Sequence, residues 1–311
     1  MMTKPKLIFC VGLPASGKST YAKKYTETHK NTIWLSSDNI RKELYGGETI
    51  QDNPEKIFLL MRVRTKEALM QGINVVWDST NINYKRRMAF LQELNKIPCE
   101  KICILMATPY EECLKNNANR DRKVSEEVIE RMYKNFHIPY WYEGWDDIKV
   151  IYNYYRGRYL FPIRVIDKYI NFNQNNHHHS LTLGEHLKQS LLYIQNIQDL
   201  KNDTENNIVL RISAVLHDCQ KPFVKDFHNA KGEPSVEAHY YNHQYVSAFD
   251  SLFYTMSVNP LNVAIRIMWH MQPYFWEKDN NEKMKNKYRN MWGKILYDDI
   301  MLLHEADKNA H

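Results

Sequence analysis

No stretch of the chain approaches the roughly 20 consecutive apolar residues that a membrane-spanning helix needs, so no membrane association is expected. Cysteine is scarce. There are five, Cys10, Cys99, Cys103, Cys113 and Cys219, odd in number and without CxxC spacing. That pattern gives no sign of a disulfide framework and fits reduced thiols in a cytoplasmic protein. Internal repeats and low-complexity linkers are absent as well. The opening apolar stretch runs straight into a glycine motif and reads as a first strand rather than a signal peptide. What remains is ordinary for a globular protein: 43% apolar and 25% charged over 311 residues, enough for two domains. The net charge of +6 is compatible with an anionic partner such as nucleic acid without demanding one. The 21 tyrosines suit packing, and some suit stacking on bases.

The first half alternates short apolar runs with amphipathic stretches. Strands are expected at Leu7 to Val11, Thr32 to Leu35, Ile73 to Trp77, Lys101 to Met106 and Lys149 to Tyr152. Strands separated by helices imply βαβ units and a parallel sheet. After about Tyr155 the pattern changes, and helices are expected at Leu181 to Leu200, Asn207 to Asp218, His239 to Phe253, Leu261 to His270 and Tyr288 to Asn309. The expected organisation is an α/β P-loop domain over residues 1–155 and an all-α domain over residues 156–311.

Gly12-Leu13-Pro14-Ala15-Ser16-Gly17-Lys18-Ser19 fits G-x-x-x-x-G-K-[ST], with an apolar strand before it and a helix after it. Gly12 and Gly17 let the backbone turn its N–H groups, including that of Ser16, toward phosphate oxygens. The following helix, through Thr20, points its positive dipole end at the same anion. Lys18 supplies a charge for the outer phosphates, and Ser19 an oxygen for magnesium. A nucleoside triphosphate, ATP or another NTP with Mg2+, is the expected cofactor.

Three further clusters narrow the chemistry. Ser36-Ser37-Asp38-Asn39-Ile40-Arg41 follows the second strand. Ligands of open α/β sheets sit beyond the strand carboxyl ends, so Asp38 is placed to take a proton from an attacking hydroxyl and Arg41 to hold an acceptor phosphate. An N-cap aspartate with a surface arginine suits the same residues. Asp78, in Val75-Val76-Trp77-Asp78-Ser79-Thr80-Asn81, is suited to holding magnesium through water, to orienting the acceptor, or to capping the next helix. Asn119-Arg120-Asp121-Arg122 precedes the helical stretch Ser125 to Phe136 and suits either a charge-neutralising lid or a solvated helix start.

Together these residues resemble the 5′-hydroxyl polynucleotide kinases of phage and bacterial type, over residues 6–152. The resemblance also takes in Met132-Tyr133-Lys134-Asn135-Phe136 and Glu143-Gly144-Trp145. It implies that Asp38 is the general base, that Arg41 contacts the acceptor phosphate, and that Arg120 or Arg122 contacts the donor phosphates.

Most histidines lie in the second half. His217-Asp218 ends an apolar helix, and His186, His243, His270 and Asp307 lie on other expected helices. Imidazoles and carboxylates from separate helices can converge on a divalent ion inside a bundle. His239 and His243, four apart, are expected to share a helix face. Lys221 is expected to reach the side of His217. The run His177-His178-His179 suits either substrate contact or a solvated loop. The ordered set His186, His217-Asp218, His243, His270, Asp307 resembles the HD-domain phosphohydrolases over residues 175–311. Leu216 to Pro222 is similar to the family signature, Thr182 to His186 to its first-ligand helix, and Leu302 to Asp307 to its last. The resemblance implies that His186, His217, Asp218 and Asp307 bind a metal such as Mn2+, Ni2+, Co2+, Zn2+, Fe2+ or Mg2+. His243 and His270 then bind a second metal or the substrate phosphate, and Lys221 neutralises phosphate charge. His311 follows four residues after Asp307, so any further contact from that end of the chain is expected to fall to this histidine.

A kinase and a phosphohydrolase acting on one small nucleotide would form a futile cycle, whereas on a broken RNA they act on different ends. The expectation is a bifunctional end-healing enzyme acting on RNA or DNA ends. It would phosphorylate 5′-hydroxyls, remove 2′,3′-cyclic or 2′/3′-phosphates, and act upstream of a separate ligase in the cytoplasm of a bacterium or phage-infected cell. A small-molecule or nucleoside kinase fused to a nucleotide phosphohydrolase also fits these residues. So does a nucleotide-gated RNA-binding module with an inactive HD half.

Overall fold

The structure, a computed structural model, describes residues 4–47, 53–153, 161–177, 180–197, 202–254 and 257–310. Contacts divide the chain into two units: Met1–Tyr133 with Pro139–Tyr155, and Lys134–Ile138 with Arg156–His311. The expected domain boundary at residues 155 and 156 falls in a stretch, 154–160, outside the described residues, as do His178, His179 and His311.

The first unit is built on β1 (Lys6–Val11), α1 (Lys18–Thr28), β2 (Thr32–Ser36), α2 (Ser37–Tyr45), α3 (Pro54–Met70) and β3 (Asn74–Asp78). It continues through α4 (Tyr84–Glu93), β4 (Glu100–Ala107), α5 (Tyr110–Ala118), α6 (Glu126–Tyr133) and β5 (Asp147–Tyr152). The five strands lie in the order β2-β3-β1-β4-β5, every neighbouring pair parallel. β1 and β4 read as continuous apolar runs because helices cover both faces of a parallel sheet. Leu7, Ile8, Phe9, Cys10, Val11 and Ile102 to Ala107 are accordingly buried. Register sets Asp78 beside both Cys10 of β1 and Ser36 of β2. The carboxyl ends of these three strands therefore deliver the glycine loop, the start of α2 and Asp78 to one edge.

The second unit contains α7 (Arg164–Lys168), α8 (Leu183–Asn196), α9 (Glu205–Leu216), α10 (Lys221–Val224), β6 (Asp226–His228) and β7 (Pro234–His239). α11 (His243–Ser251), α12 (Pro260–Trp269), α13 (Gln272–Lys278) and α14 (Glu282–Lys308) complete it. Local chemistry starts these helices where polar caps stand. Thr182 and Glu185 form a capping box on α8, Thr204 caps α9, and Asn259 precedes Pro260 at the start of α12. α14 begins six residues before the expected Tyr288 and is broken at Gly293, whose φ of 75° combined with a ψ of 172° is a backbone conformation essentially restricted to glycine.

The expectation of an all-α second domain needs correction, because β6 and β7 form an antiparallel hairpin. The expected helix over His239 to Phe253 is likewise shorter. Pro234 to His239 alternates in exposure as a strand does, and Asn242, in the left-handed region at φ 65°, separates it from α11. His239 therefore ends a strand while His243 opens a helix, and the two do not share a helix face.

Candidate functional sites

In the first unit, Gly17 stands at φ 92°, and a Cβ there would lie 2.2 Å from Asn153 Nδ2. Only glycine fits the turn. Asn153 Nδ2 donates to the Ser16 carbonyl at 2.6 Å, and Thr108 Oγ1 donates to the same oxygen at 3.0 Å. Gly12 N–H donates to the Thr80 carbonyl at 3.1 Å, and Asn81 Nδ2 to the Cys10 carbonyl at 2.6 Å. Both ends of the loop are thus tied to the sheet. The Lys18 ammonium is buried and donates to the Leu13 carbonyl at 2.6 Å. Burial pushes its pKa down, with Asp78 opposing. Ser19 and Thr20 are exposed at the start of α1.

Asp78 is buried, accepts from Trp34 Nε1 at 3.2 Å, and is hydrogen-bonded by Ser19. Burial raises its carboxyl pKa, Lys18, Ser19 and Trp34 oppose, and the charge of nearby Asp38 adds to the rise. Asp78 does not cap the next helix; Asn83 does. Nor does Asp38 cap α2, because Ser36 takes that role by accepting from the Asp38 N–H at 3.2 Å. The Asp38 carboxylate is held instead by two guanidinium groups. Arg41 Nη1 meets its Oδ1 at 2.6 Å and Arg122 Nη1 meets its Oδ2. Arg41 is buried, and its Nε has no hydrogen-bond partner among the described residues.

Arg120 donates to Asn117 Oδ1 at 3.1 Å. Burial and the neighbouring charge of Arg122 lower its pKa against the pull of Asp38, and its own charge is felt at Lys18. The stretch Glu143-Gly144-Trp145 serves packing. Glu143 forms a buried bidentate pair with Arg87 at 2.7 and 2.6 Å and accepts from Trp145 Nε1 at 3.1 Å. Arg87 in turn donates to the Asn81 carbonyl at 2.8 Å. Lys134–Ile138, part of the stretch read with the kinase residues, packs within the second unit: Phe136 lies against Phe249.

In the second unit, four imidazoles and two carboxylates converge, all of them buried. His217, His243 and His270 use one local device: each Nδ1 lies 2.7 to 2.9 Å from the carbonyl three residues back, of Ala214, Tyr240 and Ile267 respectively. His186 Nδ1 meets the Ala310 carbonyl at 2.8 Å. A carbonyl only accepts, so each Nδ1 carries the proton and each Nε2 of a neutral ring is a lone pair turned inward. His186 and His217 then face each other at 3.1 Å Nε2 to Nε2, and His243 and His270 at 3.3 Å. Lone pairs at that separation repel unless a cation or proton lies between them.

The carboxylates divide along the same lines. Asp218 Oδ2 lies 3.4 Å from both His186 and His217 Nε2, whereas its Oδ1 lies 3.1 Å from His243 Nε2 and 3.7 Å from His270 Nε2. Neither oxygen makes a well-shaped hydrogen bond, despite burial. Asp307 Oδ1 lies 3.2 Å from His186 and 3.5 Å from His217. Two donor groups result, His186, His217, Asp218 and Asp307 on one side and Asp218, His243 and His270 on the other. Burial alone would lower the His217 pKa, but Asp218 and Asp307 outweigh it and raise it to about 10. Burial followed by the charges of His217 and His243 drives His270 down to about 3.

Lys221 is turned inward, 2.6 Å from Asp218 Oδ2 and donating to Gln174 Oε1 at 3.0 Å. His177 pairs with Glu237 at 2.6 Å on the surface. Several neighbours escaped the sequence reading: Gln174, Tyr274, Thr108 and Asn153. Nothing in their local spacing marks them, since each acts across a long sequence separation.

Residues 7–139 match the AAA domain family. Over 150 residues the chain is 32% identical to L-seryl-tRNA(Sec) kinase of Methanococcus maripaludis, an alignment covering 45% of this chain and 56% of that protein. The chain thus spans little more than half the length of this curated relative. Among solved structures, it is similar to a chain of the Pnkp1/Rnl/Hen1 RNA repair complex, with TM-score 0.36, 23% identity and coverage of 42% of this chain and 44% of that one. A fungal RNA kinase is similar at TM-score 0.37 and 15% identity, over 49% of this chain and 76% of the other. The first unit is an α/β unit with a glycine loop at the carboxyl end of a parallel sheet, and the second is a helical unit carrying a small hairpin. No helix among the described residues is long and apolar enough to cross a membrane.

Proposed function

We propose that the chain is a two-site nucleic-acid end-healing enzyme. The kinase site phosphorylates 5′-hydroxyl RNA or DNA ends, and an HD-type site removes 2′,3′-cyclic or terminal 2′/3′-phosphates ahead of a separate ligase. The observation that carries this reading is the paired inward-facing Nε2 geometry around Asp218. It equips a P-loop kinase chain with a second, metal-type phosphate site and so favours a substrate with two ends.

In the kinase step, the 5′ oxygen attacks the γ-phosphorus, the bond to the β,γ-bridging oxygen breaks, and the nucleoside diphosphate leaves. Asp38 takes the hydroxyl proton. The buried Arg41, with its unused Nε, holds the acceptor's phosphate. Lys18 leaves the Leu13 carbonyl for the donor phosphates. Arg120, within electrostatic reach of Lys18, serves the donor side, and Arg122 bridges the lid to Asp38. Ser19 and Asp78, already in contact, are the pair that would hold Mg2+.

In the second unit, the donor set fits divalent metal: His186, His217, Asp218 and Asp307 would hold one ion, and Asp218, His243 and His270 a second. Four imidazoles favour Mn2+, Ni2+, Co2+, Zn2+ or Fe2+ over Mg2+. Bound metal supplies a water of lowered pKa and polarises the P–O bonds. The chain's own residues then fix geometry. The Nδ1–carbonyl bonds set ring orientation, and Lys221 balances the charge of Asp218 beside the phosphate.

The test is an RNA bearing a 5′-hydroxyl and a 2′,3′-cyclic phosphate, given ATP and a panel of divalent metals. Lys18→Ala is expected to lose only the 5′ reaction and Asp218→Ala only the 3′ reaction. Failure of the wild type to modify either end with any metal overturns the proposal. The 32% identity to L-seryl-tRNA(Sec) kinase supports a second reading, in which the acceptor is the seryl hydroxyl of an aminoacyl-tRNA. Phosphorylation of seryl-tRNA in preference to a 5′-hydroxyl oligonucleotide decides for it.

A further inference from the structure

Asp307 turns its two carboxylate oxygens to different neighbours. Oδ1 faces His186 and His217, while Oδ2 accepts a hydrogen bond from the Tyr274 hydroxyl at 2.9 Å. Tyr274 is held along its length. Its ring stands edge-on to His304, 4.3 Å between centroids at 81°. His304 is buried on α14, one turn before Asp307, and its Nε2 is engaged by Glu277 Oε1 at 2.9 Å. α14 therefore grips Tyr274 at both ends, through ring packing on His304 and the hydroxyl on Asp307. Asp218 is held differently: its two oxygens are divided between the two histidine pairs, and its Oδ2 also meets the Lys221 ammonium at 2.6 Å.

We infer that Tyr274 is a positioning residue for the His186–His217–Asp307 side of the cluster. Its hydroxyl occupies Oδ2, so Asp307 offers a divalent cation one oxygen in a fixed direction. This rests on the metal reading of the cluster. An aspartate released from such an outer partner can rotate or chelate through both oxygens, and removing partners of this kind typically weakens metal affinity by about 10–100-fold. Tyr274 touches neither His243 nor His270 in any described hydrogen bond or ring contact, so the loss is confined to one side.

The full-length protein, stripped of metal, is titrated with Mn2+ alone by calorimetry and by the loss of the free-ion electron-paramagnetic-resonance signal. Wild type is expected to take up two ions per chain. Tyr274→Phe, which keeps the ring and removes only the hydroxyl, is expected to weaken one site about 10–100-fold and to leave the other within about threefold. His304→Phe keeps an aromatic surface against Tyr274 and is expected to leave both sites within about threefold of wild type. Equal weakening of both sites in Tyr274→Phe, with or without loss of helical circular dichroism, overturns the inference, as does no change at either site. Absence of Mn2+ binding to the wild type overturns the metal reading itself, and the inference with it.

Discussion

Replacing Glu143 by glutamine is expected to destabilise the first unit by about 3–5 kcal/mol, because it leaves a guanidinium charge uncompensated in the interior. The side chains of Arg87 and Glu143 are 1% and 0% exposed, and two charge-assisted bonds at 2.7 and 2.6 Å join them. Burial raises the Glu143 pKa even with Arg87 opposing, so desolvation consumes much of what the pair gains. The pair as a whole should therefore add little, while either partner alone costs much. Arg87→Met combined with Glu143→Leu is expected to recover most of the loss. In a unit of this size, 3 kcal/mol corresponds to a fall in melting temperature of roughly 6–12 °C. Urea and thermal unfolding, followed by tryptophan fluorescence, read the effect, with Trp145 bonded directly to Glu143. The consequence extends to function. Arg87 anchors the Asn81 carbonyl, and Asn81 anchors Cys10 at the mouth of the glycine loop. Glu143→Gln should accordingly weaken ATP binding as well, while Trp145→Phe leaves it close to wild type. A cost under 1 kcal/mol for Glu143→Gln, or a double variant as unstable as the worse single one, refutes the argument.

Asp38→Asn keeps the shape of the carboxylate but cannot take a proton, so the 5′ reaction should slow by about 10²–10⁴-fold with KM for ATP little changed. A large rise in KM alone would place Asp38 in binding instead. Gly17→Ala introduces a side chain at φ 92° against Asn153 and is expected to abolish ATP-induced thermal stabilisation, whereas Gly232→Ala on the exposed hairpin turn keeps it. Burial holds the Cys113 thiol up at about 12 and keeps Cys10, Cys103 and Cys219 protonated too. Iodoacetamide on the native protein at pH 8 should modify only the half-exposed Cys99, read by peptide mass spectrometry. Early labelling of Cys113 would contradict its buried environment.

The parts of the fold visible in sequence were those whose signal is local. Leu7 to Val11 announces a buried parallel strand because both faces must be apolar, and Gly17 announces a turn because no other residue tolerates its backbone angles. The hairpin at β6 and β7 was less visible. Its strands are short, one face is solvated, and residues such as Val236, 95% exposed, carry no burial signal. The kink at Gly293 is similar, since a lone glycine within a helical pattern does not by itself say that the helix breaks.

The amino-acid order by itself determined the phosphate cradle and the identity of the imidazole and carboxylate groups of the second unit. It also determined the Nδ1-to-carbonyl contacts of His217, His243 and His270, which span only three residues each. Backbone demands and helix spacing are short-range, and a sequence states them directly. Only the tertiary structure decided which side chains meet. It put Arg122 rather than Arg120 on Asp38, split the two oxygens of Asp218 between two histidine pairs, and brought the Tyr274 hydroxyl to Asp307. Those meetings depend on how the elements pack, and packing is set by many buried apolar contacts at once rather than by the residues that carry the chemistry.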